Sequence, residues 1–408
     1  MQPGDWNFLQ VIAPDHQRMA FLETARSWIS DILYDLRSVN RGRRKAERRV
    51  LEAAIEPASI RIPACGGRPD VSVIIPAYGK VRYTLRCLNS IAAAAKTVSV
   101  EVIVAEDASG DPDIGILRQV EGIALLENRG NLGFLRSCNA AARHARGEFL
   151  YFLNNDTELE PAAIDNLVAL ARVRPDAGVV GSKLVYPDGL LQEAGGIVWS
   201  DGSTTNYGWR DDPRKPQYNY VREADYVSGA SLLVRRALWD SLGGFDETFA
   251  PAYYEDTDFS FRVRGAGFKV LYQPRSVVVH HEGISHRKQK NAAIGGRLTQ
   301  NRARFVARWG EQLKREHYDP GTHEMRARDR AKGRSVAVIV ADDPRSAGQV
   351  VDAFAGLGWI VKLSAPQANA EGFVETLQQR GIEVVTYPFR SRRKADWDAV
   401  IFMTRPRH

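Results

Sequence analysis

The chain has 408 residues, of which 44% are hydrophobic and 26% charged, and its formal net charge is +7. This length predicts two or three domains, each with a hydrophobic core of its own. No run approaches the ~20 consecutive apolar residues that cross a bilayer, and the first residues lack the basic and apolar regions of a secretory signal, so we expect a cytoplasmic protein.

The excess of basic residues raises the question of a nucleic-acid partner. No helix-turn-helix, zinc-finger or RNA-binding signature accompanies it, and we therefore expect none. A basic surface also suits anionic lipid headgroups or a substrate that carries phosphate. The cysteines, Cys65, Cys87 and Cys138, are odd in number and lack metal-ligand spacing, so the sequence predicts neither disulfides nor a zinc site.

Residues 1–65 are predicted to form a helical N-terminal segment. Apolar residues between Phe21 and Leu36 recur at helical spacing, and a basic run from Arg41 to Arg49 follows. The run has two interpretations: a solvated helix face before a linker, or peripheral contact with the inner face of the plasma membrane. Pro57, Pro63 and Pro69 mark a boundary near residue 66.

From Val71 onward the pattern is that of a parallel α/β sheet. Apolar strands are predicted at 71–75, 100–105, 123–126 and 149–153, with helical segments between them. Each strand stops in a turn that carries Asp, Asn or Gly. Right-handed crossovers place all these turns at one edge of the sheet, where α/β proteins bind their ligands.

The strand at 149–153 ends in Asn154, Asn155 and Asp156. Asp156 is a candidate metal ligand at the carboxyl edge of the sheet. The alternative is a simple turn, because Asn and Asp bond to their own backbone.

A nucleotide is the natural ligand of this edge. Asp107 can accept a hydrogen bond from a base or a ribose hydroxyl, and the loop at 76–78 can offer backbone groups. The sequence has no glycine-rich phosphate loop of the Walker or dinucleotide kind, which favours a metal ion for neutralising the phosphates. The candidate nucleotide-binding residues are Pro76, Ala77, Tyr78, Asp107, Asn128, Arg129, Asn154 and Asn155.

An irregular region between residues 199 and 220 is rich in aromatic side chains. These side chains can stack on sugar rings in an acceptor cleft or pack locally in a long loop. The aromatic residues are Trp199, Tyr207, Trp209, Tyr218 and Tyr220.

A second polar cluster contains Glu255, Asp256 and Asp258 at the start of a predicted helix. One or two acidic residues would complement the helix N-terminus, but three exceed that requirement. Clustered like charges raise the pKa of one member and can make it a proton acceptor. Downstream, a strand at 276–279 ends in His280 and His281, which are candidate metal ligands.

The order of these motifs resembles the family 2 inverting glycosyltransferases of the GT-A fold, over about residues 70–310. The resemblance is strongest to bacterial rhamnosyltransferases and O-antigen transferases. It is carried by Val-Ser-Val-Ile-Ile-Pro-Ala-Tyr (71–78), Glu-Asp-Ala-Ser (106–109), Leu-Asn-Asn-Asp (153–156), Gly-Gly-Phe-Asp-Glu (243–247), Glu-Asp-Thr-Asp (255–258) and His280.

The resemblance implies a role for each matching residue. Asp156 and His280 match ligands of a divalent cation, manganese or magnesium, although Asn154 stands where many members have a first aspartate. Asp107 matches the base-binding aspartate, and Asp256, beside Glu255, matches the catalytic base. Asn154 or Asn155 would lie nearer the ribose.

The implied reaction is inverting transfer of a sugar from a UDP- or dTDP-sugar. The acceptor would be a saccharide or a lipid-linked saccharide in bacterial polysaccharide synthesis. Arg308 and Trp309 match part of a polymerase element, but Phe305 replaces its glutamine, which favours single addition over polymerisation. The alternative is a catalytically silent protein of the same fold that binds a nucleotide sugar or a glycan.

A charged helical linker is predicted at 311–334, and a new α/β pattern begins at Ser335. This pattern resembles the opening half of a Rossmann-like domain. It ends at His408, shorter than such domains usually are. A shortened second module and a small accessory domain are both consistent with it.

Overall fold

A computed structural model describes residues 55–63, 65–281, 291–330, 332–341, 347–365, 371–386 and 398–403. Residues 1–54 of the predicted helical N-terminal segment lie outside the described residues, and they include its basic run. The described residues form two compact units. The larger contains those before residue 214 and those at 223–320, and the smaller contains 214–222 and those from 321 onward.

The strands, in chain order, are β1 (Val71–Ala77), β2 (Val100–Glu106), β3 (Ile123–Glu127), β4 (Phe149–Leu153), β5 (Thr157–Leu159), β6 (Ala177–Val185), β7 (Leu191–Glu193), β8 (Gly196–Val198), β9 (Thr204–Asn206), β10 (Arg222–Glu223), β11 (Ser231–Arg235), β12 (Lys269–His280), β13 (Val336–Ala341), β14 (Ile360–Ala365), β15 (Glu383–Thr386) and β16 (Ala399–Met403).

The helices are α1 (Val81–Ala94), α2 (Phe134–Ala142), α3 (Ala163–Val173), α4 (Arg236–Leu242), α5 (Glu255–Gly265), α6 (Asn291–Glu316), α7 (Glu324–Ala327), α8 (Gly348–Gly356) and α9 (Glu371–Gln379). Short 3₁₀ helices span Pro57–Ser59, Pro112–Gln119, Pro216–Tyr218 and Glu247–Phe249.

The central sheet of the larger unit is mixed. Its first four strands are parallel in the order β3-β2-β1-β4, as in the opening of a doubly wound sheet. β11 then joins β4 and β6 in antiparallel fashion, and β12 runs parallel to β6. The predicted α/β class is therefore confirmed, with an antiparallel strand inserted into the parallel order.

Burial explains why these segments become strands. Every residue of β4 is buried, as is every residue of β6, and a strand covered on both faces favours an uninterrupted apolar run. Phe152 of β4 lies 4.5 Å from Trp239 between ring centroids and 5.3 Å from Phe245. This aromatic cluster anchors the chain that follows α4 to the centre of the sheet.

The end of β12 pairs with two strands, and a third lies across one of them. Val278 and Val279 pair with Leu184 and Val185 of β6, and His280 pairs with Thr157 of β5. On the opposite side of β6, β7 pairs in antiparallel fashion. The sheet therefore brings residues that are distant in sequence to one corner.

The smaller unit contains a separate four-stranded parallel sheet in the order β15-β14-β13-β16. The segment at 214–222 belongs to this unit: the backbone N–H of Val221 donates to Gln378 O at 2.8 Å, and Tyr220 donates to Asp329. The domain boundaries expected at 66, 310 and 335 stay predictions, and they did not include the placement of 214–222 in the smaller unit.

The region predicted as a helical linker differs from the expectation. α6 ends at Glu316, and only the short helix α7 follows before β13. α6 is part of the larger unit because its Phe305 and Leu313 are fully buried in that core. None of the helices that the structure describes combines the length and apolar character of a membrane span.

Candidate active site

Asp156 and His280 face each other at the carboxyl edge of the sheet. Asp156 Oδ1 lies 3.2 Å from His280 Nε2, and both side chains are buried. Asn154 Nδ2 lies 3.4 Å from the same ring nitrogen. Burial would raise the pKa of the Asp156 carboxyl, but the nearby His280 holds that pKa below its ordinary value.

The donor set of this pair fits a divalent cation. Two neighbouring ligands of an octahedral ion with bonds of about 2.1 Å lie about 3 Å apart, close to the observed separation. A carboxylate with one imidazole suits manganese or magnesium when phosphate oxygens or water complete the shell. Among the described residues, no group of three or more His, Cys, Asp and Glu side chains could hold a metal, so such a site needs ligands from the substrate.

His281 lies apart from this pair. Its Nε2 is 2.8 Å from Glu158 Oε1, and its ring meets the Tyr83 ring edge-on at 5.3 Å between centroids. Arg86 completes the group at 3.1 Å from Glu158 Oε2. Of the two adjacent histidines, His280 is therefore the one that faces Asp156.

The two acidic residues at the start of α5 have different surroundings. The backbone N–H of Gly229 donates to Asp256 Oδ2 at 2.9 Å, and that of Thr257 donates to Oδ1 at 2.7 Å. Burial raises the pKa of Asp256 despite these bonds. Glu255 is more deeply buried, and burial followed by the charge of Asp256 raises its pKa well above the ordinary value.

The tripeptide Ser228–Ala230 joins the two clusters. Gly229 donates to Asp256 as described, and Ala230 O accepts from the backbone N–H of Asn154 at 3.0 Å. The backbone N–H of Ser228 donates to Glu193 Oε1 at 3.2 Å. One short segment therefore contacts both the base candidate and the residue that leads into Asp156.

Asp107 has an internal role that the sequence did not predict. Its Oδ1 accepts from Asn128 Nδ2 at 3.0 Å and from the backbone N–H of Leu132 at 2.7 Å. Its Oδ2 accepts from the backbone N–H of Gly133 at 2.8 Å, immediately before α2. Asp107 and Asn128 thus brace the loop after β3, and base recognition by either residue stays a prediction.

The remaining nucleotide-binding candidates surround the same edge. Asn155 is buried, and its Nδ2 donates to Thr84 Oγ1 at 3.1 Å and to Gly79 O at 3.4 Å, which ties the loop after β1 to α1. Pro76 and Ala77 lie at the end of β1. Tyr78 and Arg129 are exposed beyond the strand ends.

The chain is similar to known proteins over the stretch that contains part of this site. Residues 72–242 match the family model described as Glycosyl transferase family 2. The chain carries a glycosyltransferase family 2 domain. The resemblance inferred from the motifs is thereby confirmed, and the matched stretch runs from the second residue of β1 through β11 and contains Asp107 and Asp156.

Two relatives and one solved structure illustrate the similarity. The "O-antigen biosynthesis protein RfbC" of Myxococcus xanthus is 32% identical over 54% of this chain and 18% of its own length. The "N-acetylglucosaminyl-diphospho-decaprenol L-rhamnosyltransferase" of Mycobacterium tuberculosis is 27% identical over 52% of this chain and 76% of its own. The structure of GalNAc-T7 with UDP, GalNAc and Mn²⁺ aligns with a TM-score of 0.44 at 16% identity, over 53% of this chain and 44% of that one.

Two polar residues of the larger unit that sequence reasoning missed support the candidate site. Gln192 on β7 is buried, and its Oε1 lies 3.1 Å from His280 Nδ1. Asn301 on α6 donates to the carbonyl oxygens of Phe249, Ala252 and Tyr253 at 2.9–3.1 Å and so holds the loop before α5. Neither lies in a motif of clustered charge, which is the signal that drew attention to the acids.

The aromatic residues of the irregular region divide into two groups. Trp199, Tyr207, Tyr218 and Tyr220 are buried, which supports local packing for these four. Trp209 is 63% exposed, and its Nε1 donates to Tyr186 Oη at 3.1 Å. Within the larger unit, Trp209 is therefore the member of this aromatic set whose ring is open to a ligand.

Proposed function

We propose that this chain transfers a sugar from a nucleoside-diphosphate sugar to a hydroxyl group of a saccharide or lipid-linked saccharide, with inversion at the anomeric carbon. The main support for this proposal is a pair of hydrogen bonds from the Ser228–Ala230 segment, which link Asp256 to the strand end that bears Asp156. A proton acceptor held by the same short segment as the strand end that bears a cation ligand suits a displacement reaction.

Asp256 acts as the general base in this proposal. As the acceptor oxygen bonds to the anomeric carbon, its proton passes to Asp256, and the bond to the diphosphate breaks with its electron pair left on phosphate. The backbone N–H groups of Gly229 and Thr257 orient the carboxylate. The raised pKa of Asp256 increases its affinity for that proton.

Asp156 and His280 would hold a divalent cation, manganese or magnesium, beside the diphosphate. Such an ion supplies positive charge that stabilises the leaving group. UDP- and dTDP-sugars are the proposed donors, and the surface-polysaccharide role follows relatives named for O-antigen synthesis and rhamnosyl transfer. Because the chain spans only 18% of the first of these, the complete activity is itself part of the proposal.

The test incubates the chain with a panel of UDP- and dTDP-sugars, Mn²⁺ or Mg²⁺ and candidate saccharide acceptors. Release of nucleoside diphosphate and the mass of the product are measured. We expect Asp256→Asn to lower the rate by about 10²–10⁴-fold. The control Asp240→Asn changes a carboxylate whose side chain is 60% exposed and should keep the native rate.

Equal rates for the native chain and Asp256→Asn would remove Asp256 from the mechanism. Thermal stabilisation by a donor without any turnover would instead favour the silent binding protein.

For the acceptor, we propose that Trp209 stacks on a sugar ring. The segment that carries it runs beside β7: Arg210 N donates to Leu191 O at 2.7 Å, and Leu191 N donates to Asp211 O at 2.8 Å. Trp209→Ala should raise KM for the acceptor found in the screen and leave slow donor hydrolysis unchanged. Trp209→Phe should restore part of the loss, because a ring remains, and an unchanged KM in Trp209→Ala would contradict the assignment.

A further inference from the structure

The ring of His280 has an oxygen on each side. Its Nδ1 lies 3.1 Å from Gln192 Oε1 and its Nε2 lies 3.2 Å from Asp156 Oδ1. A neutral imidazole carries one proton, on either nitrogen, and the nitrogen without it presents a lone pair. The surroundings of the ring therefore decide which nitrogen can bind a metal.

Gln192 resolves that choice. A carboxamide oxygen only accepts hydrogen bonds, so the contact with Gln192 Oε1 requires the proton on His280 Nδ1. The lone pair is then on Nε2 and points toward Asp156. A carboxylate oxygen and a lone pair at this distance need a positive charge between them, which a divalent cation supplies in the loaded site and a proton on Nε2 supplies without it.

The position of Gln192 is set by the sheet. β7 pairs with β6 at Leu184–Glu193 and Val185–Leu191, with a register shift between the two pairs. Bulges of this kind redirect a side chain, and Gln192 lies between the two paired residues of β7. The same strand β6 pairs with β12 just before His280, so Gln192 and His280 approach each other across its end.

We propose that Gln192 is a positioning residue that locks His280 in the Nδ1–H tautomer and thereby presents Nε2, with Asp156, to the catalytic cation. This inference rests on the proposed function, because it assigns a role within the same cation site. Partners of this type commonly change metal affinity by about 10–100-fold.

The first experiment measures Mn²⁺ affinity of the full chain by electron paramagnetic resonance in the presence of saturating UDP, whose phosphate oxygens supply the ligands that Asp156 and His280 lack. We expect Gln192→Met to weaken binding by at least about tenfold. Gln192→Glu keeps an accepting oxygen of the same reach and should retain the native affinity or exceed it. The matched control is Gln273→Met: Gln273 is a buried glutamine of β12 in the same unit, and its side chain contacts Asn166 and Arg275.

His280→Ala distinguishes a failure of the role proposed for Gln192 from a failure of the cation site itself. If His280→Ala weakens Mn²⁺ binding and Gln192→Met does not, the role of Gln192 is overturned and the proposed cation site stands. If His280→Ala leaves Mn²⁺ binding at the native level, the cation site itself is wrong, and the inference falls with it. Loss of affinity in Gln192→Glu equal to that in Gln192→Met would also overturn the accepting role of the amide oxygen.

A second readout requires neither metal nor activity. In the metal-free chain labelled with ¹⁵N-histidine, the ring nitrogen shifts of His280 should report a protonated Nδ1, whether or not Nε2 also carries a proton. Gln192→Met should shift this signal toward a mixture of tautomers, and Gln273→Met should not. An unchanged signal in Gln192→Met would contradict the proposed lock even if the affinity had fallen through a structural effect.

Discussion

Glu255 is a buried carboxyl group next to the proposed base. Its side chain is 5% exposed, and its Oε2 has no hydrogen-bond partner among the residues that the structure describes. Burial and the charge of Asp256 raise its pKa, although backbone N–H groups of Glu255 and Tyr253 lower it in part. At this position the ionised form is therefore costly to the folded chain.

We expect Glu255→Gln to stabilise the folded chain above about pH 4.3, the ordinary pKa of glutamate. Because the folded-state pKa of Glu255 is raised, the folded chain binds more protons than the unfolded chain between the two pKa values. The free energy of unfolding thus falls as pH rises through that window. The variant lacks this contribution, so its advantage in Tm should grow with pH in thermal melts from pH 4 to 8.

The control for this prediction is Glu311→Gln. The side chain of Glu311 is 90% exposed, and its loss should leave the pH profile of Tm unchanged. If Glu255→Gln followed the native profile throughout, Glu255 would not be the destabilising charge.

At the scale of elements, α5 is held against α6 by Asp258. This carboxylate is fully buried, and its Oδ1 accepts from Arg308 and from Trp309 Nε1, each at 2.9 Å. Its Oδ2 accepts from Arg262 Nε at 2.8 Å. The third acid of the cluster is therefore a structural anchor that holds the helix whose first turn bears Asp256.

Asp258→Asn should lower the free energy of unfolding by about 2 kcal/mol or more. The substitution removes the charge that partners two guanidinium groups, and hydrogen bonds to charged groups contribute about 1.5–3 kcal/mol each. Chemical denaturation monitored by tryptophan fluorescence measures the change. Asp240→Asn alters an exposed ion pair and should change the free energy of unfolding by no more than about 0.5 kcal/mol. Similar shifts in the two variants would show that Asp258 is no anchor.

Comparison of the elements shows where local patterns suffice. The strand expected at 149–153 is observed as Phe149–Leu153, because its fully apolar run has only one stable place, between two covered faces. The strand expected at 276–279 instead spans Lys269–His280. Pro274 interrupts the pattern in the sequence, and the sheet accommodates it at a register shift between Gln273 and Val277.

Charge is also buried in the smaller unit, among residues outside the candidate active site. In the smaller unit, Glu383 is 2% exposed and pairs with Arg328, and its Oε2 lies 3.2 Å from Lys362 Nζ. Removing one partner of a buried pair costs about 3–5 kcal/mol, because the remaining charges lose their compensation. We therefore expect Glu383→Gln to destabilise the unit that contains it.

Limited proteolysis should show faster cleavage within residues 321–408 in Glu383→Gln than in the native chain. Mn²⁺ affinity should be unchanged, because Asp156 and His280 belong to the other unit. Cleavage at the native rate would contradict a stabilising role for the pair. A loss of Mn²⁺ affinity would show that the cation site depends on this unit as well.

Local sequence patterns were enough to predict the α/β class, the parallel strands β1 to β4 and the family resemblance. These features depend on local hydrophobic periodicity and on short motifs, which neighbouring residues carry. The sequence also identified Asp156, His280 and Asp256 as residues of interest, because charged side chains at strand and helix ends stand out from apolar runs.

Which of these side chains meet depends on the folded chain. It separated His280 from His281, gave Asp107 an internal partner in Asn128 and brought Gln192 to the imidazole ring. The physical reason is that pairing across β6 and the turn at Ser228–Ala230 connect residues far apart in sequence. Contacts of that kind depend on strand register and burial, which no local pattern in the chain records.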